Sequence, residues 1–155
     1  MAAWRGPPSN VHGVTFLAKL FMGDGKLDPK VRAELESEGL VRVEEGLRGS
    51  VRYRRFRAPG RRHYGKVTGE RIALAISEER FVVYCRSGRA ELIDSSFTNP
   101  RWSIVDVTLQ GTDSVSIRID YDRADLADVS GEITIVVRTP NAAAIVDHLR
   151  ARIGR

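Results

Sequence analysis

Cysteine is nearly absent. Cys85 stands alone in 155 residues, which excludes an internal disulfide and a CxxC metal site. Lying in the apolar run FVVYC, it reads as a small buried hydrophobe. Long hydrophobic runs are missing as well. The opening MAAWRGPPSN has no apolar stretch of signal-peptide kind. The segment VHGVTFLAKLFM, about 12 residues with a His and a Lys inside, falls short of the roughly 20 that a spanning helix needs. A reducing, cytoplasmic setting is the expectation, with peripheral attachment as the one membrane role left. Catalytic signatures are lacking too: there is no GxSxG, no Gly-rich phosphate loop and no HExxH. His12, His63 and His148 fall on separate elements without metal spacing. No catalytic residue, metal or cofactor is expected.

The most informative absence is of acid. Between Leu47 and Gly69 there are eight Lys/Arg and no Asp or Glu, so this segment carries +8. Against a chain total of +5, the remainder carries −3, and the positive excess is therefore local. Residues 106–132 hold the opposite bias, with Asp106, Asp113, Asp120, Asp122, Asp125, Asp128 and Glu132 against Arg118 and Arg123.

What is present is mostly strand. Residues 1–39 read as a flexible start and two short helices, and 40–155 as one β domain. Val14, Leu17 and Phe21, with Phe16 and Leu20 alongside, predict an amphipathic helix over 11–22. Asp28–Pro29 opens a second helix that Gly39 ends. From Leu40 the period changes to two. LVRVEEG, SVRY, RIALAIS, ERFVVYC, SIVDVTLQ, VSIRIDY and EITIVVR alternate or run apolar between short turns, RSGRAELID holds a Gly88 turn between strands, and seven antiparallel strands are predicted in all. TPNAAAIVDHLRARIG closes the chain as a helix, capped at Thr139, with Pro140 first and Gly154 after its end. Its apolar stripe is Ala142, Ile145, Val146, Leu149 and Ile153.

This order of elements resembles the pleckstrin-homology (PH-like) superfold, a seven-stranded antiparallel barrel of two near-orthogonal sheets capped by a C-terminal amphipathic helix. The phrases VRYRRFRAPGRR, IALAISEERFVVY and VVRTPNAAAIVDHLRA are similar to bacterial PH-like domain proteins. The resemblance covers about Leu40 to Arg155, with the N-terminal helices as an extension. It implies a binding or scaffold domain. Phosphoinositide-binding members place basic residues on the first two strands and their connecting loop, here Ala58–Tyr64. The family's Arg-x-Arg pair follows that loop, whereas Arg52-x-Arg54 and Arg55-x-Arg57 precede it.

Three uses of the basic stretch compete with a plain solvated hairpin, or one neutralised by the acids at 120–128. The first is weak peripheral binding of an anionic membrane surface or a phosphorylated ligand by Arg54, Arg55, Arg57, Arg61, Arg62 and Lys66. Pro59–Gly60 is a turn pair, so these guanidiniums converge, and each can donate two parallel hydrogen bonds to an anion. The second is a protein–protein module meeting a protein partner through sheet edges or the helix carrying Phe16, Leu17, Leu20 and Phe21. The third is nucleic acid, with Tyr53, Phe56 and Tyr64 stacking bases. Strict alternation puts Arg52, Arg54 and Phe56 on one face and Tyr53, Arg55 and Arg57 on the other, so neither face of this strand end is expected in a core. Asp120 and Asp122 have the first spacings of a calcium loop. Ala124, Asp125 and Gly131 then break the pattern.

Overall fold

A computed structural model describes residues 25–85 and 90–154. The predicted helix over 11–22, with Phe16, Leu17, Leu20 and Phe21, lies outside the described residues. The described residues group into two compact units, one built from 25–47, 70–85 and 90–99, the other from 48–69 and 100–154.

The first unit starts with helix α1 (Pro29–Ser37). Asp28 accepts from the Lys30 backbone N–H, Pro29 sits in the first turn, and Gly39 at φ +83° follows the end. Its strands are hydrogen-bonded in the order β5 (Ala90–Ser96), β4 (Arg80–Cys85), β3 (Val67–Ser77), β1 (Leu40–Ala58). Pairing of β3 with β4 and of β4 with β5 is antiparallel. Ile72 to Ser77 are all buried, so β3 is covered on both faces. Leu35 of α1 and Leu27 pack with Ala73, Ala75, Val82 and Tyr84, the face opposite Ile72, Leu74 and Ile76. Alanine at alternate positions of RIALAIS leaves room for the helix backbone to come close. Cys85 is buried in the same unit, as its apolar setting suggests.

The second unit uses the later part of β1, then the short strand β2 (Arg61–His63), and β6 (Val105–Gln110), β7 (Ser114–Asp120) and β8 (Ser130–Arg138). Their order is β1-β8-β7-β6, with β2 on β1, and β1 with β2, β1 with β8, β6 with β7 and β7 with β8 all pair antiparallel. Helix α2 (Ala142–Ile153) packs on β6 and β7 through Ala142, Ile145, Val146 and Leu149, against the inward Val105, Val107, Val115, Ile117 and Ile119. It starts two residues later than predicted. The Thr139 hydroxyl accepts from Asn141 N at 3.1 Å in the turn before the helix, so it does not cap the helix itself. Two short 3₁₀ turns, Pro100–Ile104 and Tyr121–Ala124, precede β6 and β8.

The protein is thus mainly β, with eight strands among the described residues where seven are predicted. LVRVEEG and SVRY run on as one strand, the segment after Gly88 forms β5, and the added strand is β2, three residues after Pro59–Gly60 that pair back on β1. No helix among the described residues is long and apolar enough to cross a membrane.

Candidate anion-binding hairpin

The end of β1 departs from simple alternation, and the departure shapes the site. Arg54 pairs with Glu132 and Arg57 with Ser130, so Arg55 and Phe56 together face the single residue Gly131. This is a β-bulge. Arg55 takes it up at φ +47°, a left-handed conformation that costs a non-glycine residue about 1 kcal/mol. Gly131, at φ +87°, is required opposite it: a Cβ there would overlap the Arg55 carbonyl and lie 2.7 Å from that of Arg54.

The bulge overturns the expectation that this strand end has no core face. Val51 and Phe56 point inward, 2% and 1% exposed, with half-buried Tyr53 between them. Arg52, Arg54, Arg55 and Arg57 are exposed. One inserted residue therefore lets three closely spaced arginines share the solvent side while Phe56 stays in the core. Phe56 lies 5.7 Å, ring to ring, from Tyr121 and stacks at 11° on His63, and Tyr53 lies 4.8 Å from the same imidazole. These rings fix the base of the hairpin. Partial burial, then Lys66 and Arg61, hold the His63 pKa below its ordinary value.

Pro59 and Gly60, the latter at φ +72°, make the turn. Arg57 then stands directly opposite Arg62, and Ala58 opposite Arg61. The Tyr53 N–H donates to the Lys66 carbonyl at 2.8 Å and holds the far end of the segment against β1. A shallow depression of about 750 Å³ is lined by Arg57, Arg61 and Arg62 with the turn, Ala127 and Asp128. The structure thus brings Arg57, Arg61 and Arg62 together, sets Arg54 and Arg55 on the adjoining bulge, and leaves Lys66 exposed beyond the hairpin.

Among the described residues, none of Arg48, Arg52, Arg54, Arg55, Arg57, Arg61, Arg62 and Lys66 has an acidic partner, whereas Arg32, Arg42, Arg80, Arg118, Arg123 and Arg138 each have one. Of the acids at 120–128 expected to neutralise the hairpin, Asp120 lies 3.4 Å from Arg118, whereas Asp128 lines the depression itself beside Arg57, Arg61 and Arg62. Glu132, directly across from Arg54, bonds Arg118 at 2.8 Å, and Arg118 also reaches Asp120 and Asp106. These contacts, the Glu132 bond foremost, raise the Arg118 pKa. Asp106 takes Arg123 at 3.2 Å, and Asp113 takes Arg138 at 2.7 Å. Asp122 accepts from the Gly131 N–H at 2.8 Å.

Sequence reasoning missed the bulge, the ring cluster around His63, and the roles of Gly131 and Asp122. One signal was legible: inward residues at 51, 53 and 56 change spacing from two to three. A scan of family models, a search of curated proteins and a search of solved structures each find no match to this chain.

Proposed function

We propose that the protein is a non-enzymatic, PH-like binding module that holds an anionic lipid surface or another phosphorylated ligand weakly through its basic hairpin. The single observation carrying this reading is the Arg57–Arg62 pair. Like charges directly opposed on neighbouring strands repel, and here both belong to a set of eight cations without acidic partners among the described residues. A bound phosphate relieves that repulsion and accepts charge-assisted bonds from both guanidiniums. The PH-like assignment rests on seven longer strands, a first strand hydrogen-bonded to both β3 and β8, and a C-terminal helix.

The strength follows from charge counting. Each Lys or Arg at an anionic surface contributes about 1 kcal/mol, so five contribute about 5 kcal/mol. That corresponds to a dissociation constant of roughly 0.2 mM, weak and salt-sensitive. Tyr64 and Val67, 71% and 54% exposed on either side of Lys66, can add apolar contact at a membrane interface. Co-sedimentation at low salt tests the proposal. Vesicles containing phosphatidylserine should pellet the protein, neutral vesicles should not, and added inorganic polyphosphate should compete. Equal pelleting with both vesicles would exclude the proposal. Direct binding of polyphosphate, read by equilibrium dialysis, without any acidic-vesicle binding would assign a soluble ligand instead of a lipid surface.

A further inference from the structure

Asp122 carries negative charge close to a site proposed to bind anions, so simple electrostatics makes it an antagonist of that site. Its contacts suggest the reverse. The 3₁₀ turn Tyr121–Ala124 grips the β1 bulge at two points: the Tyr121 ring packs on Phe56, and Asp122 Oδ1 accepts from the Gly131 N–H. Gly131 is the residue that the bulge straddles, and its missing side chain makes room for the Arg55 carbonyl. The turn is itself braced, because Asp120 Oδ1 accepts from Asp122 N at 3.2 Å. Without a partner for its N–H, Gly131 is free to shift, and the left-handed Arg55 loses the strand position that holds it. Relaxation to regular alternation would turn Arg55 inward and Phe56 outward.

We infer that Asp122 is a positioning residue for the hairpin site: through Gly131 it holds the bulge that presents Arg54, Arg55 and Arg57 together on the solvent side. The inference rests on the anion-binding reading and adds a residue outside the basic segment. Electrostatics and positioning predict opposite signs for one substitution. Asp122→Ala removes a negative charge, which by charge alone tightens anion binding. Through loss of the bulge it weakens it instead.

The test compares binding of the full chain and its variants to phosphatidylserine-containing vesicles, at a temperature where circular dichroism shows each fully folded. Asp122→Ala is expected to bind about fivefold more weakly, the share of one cation. Asp122→Asn keeps an acceptor for the Gly131 N–H and should bind as well as wild type or better. Asp122→Glu keeps the charge but displaces the carboxylate, and should bind more weakly; it decides the matter if Asp122→Ala does not fold. A merely structural role would lower the melting temperature and leave the affinity of the folded protein unchanged. Wild-type-like or tighter binding by Asp122→Ala, or by Asp122→Glu where the first does not fold, overturns the inference. Absence of wild-type binding to the vesicles and to inorganic polyphosphate alike overturns the anion-binding reading itself, and the positioning role with it; if only polyphosphate binds, the same variants are compared on polyphosphate.

Discussion

Arg80 is held by three carboxylates at once. It reaches both oxygens of Asp94 at 2.8 and 2.9 Å, Glu38 at 3.0 Å and Glu34 at 3.1 Å. Burial alone would lower its pKa, but attraction to Asp94 and Glu38 and the bonds it donates to them outweigh this, and the net shift is upward. Tyr84 adds a fourth link, donating to Asp94 at 3.3 Å. Burial first, then the charges of Asp94 and Glu91, raise the Tyr84 pKa above its ordinary value. The unfolded phenol therefore ionises first. The contribution of Tyr84 to stability is complete below about pH 10 and is lost as pH rises from there towards the folded value. Tyr84→Phe is expected to destabilise by about 1 kcal/mol at neutral pH through the lost hydrogen bond. Urea unfolding of both proteins across alkaline pH should show that gap shrinking above about pH 10. A gap that stays constant would mean that the folded and unfolded phenols ionise alike.

At the scale of the element, helix α1 depends on one side chain more than on its own sequence. Its apolar line is thin, and Leu35 is its one buried residue. Short helices of this kind draw their stability from packing. Leu35→Ala should destabilise by about 3 kcal/mol in urea unfolding, whereas exposed Glu36→Ala should change stability by no more than about 0.5 kcal/mol. Equal effects would show that the helix is not held by the Ala73–Ala75 face. The caps of this helix were legible in the sequence because Asp-Pro and Gly act locally. Where it packs was not, since alanines on a strand signal a covered face without saying what covers it. The strands themselves were legible from their period. The bulge showed only in the changed apolar spacing at Val51, Tyr53 and Phe56, because the glycine that permits it sits on β8, remote in sequence, and no local rule favours arginine at positive φ.

At the scale of the molecule, charge among the described residues is sorted by partner. Acids outside the hairpin bind arginines outside the hairpin: Arg80 collects three carboxylates in the first unit, and Arg118 collects three in the second. The cluster of cations was legible from composition alone. That Arg118 would draw Glu132 away from Arg54 was not, since it depends on the register of β1, β7 and β8. Among the described residues such sorting leaves the hairpin guanidiniums clustered without carboxylate partners, which is the basis of the proposed anion site. The central claim is thus one of location, and amide chemical-shift mapping during titration with inorganic polyphosphate tests it most directly. The account expects saturable shifts confined to residues 52–66 and the neighbouring 127–131, collapsing as salt is raised. Shifts centred elsewhere, or none at polyphosphate concentrations well above the expected dissociation constant, would contradict it.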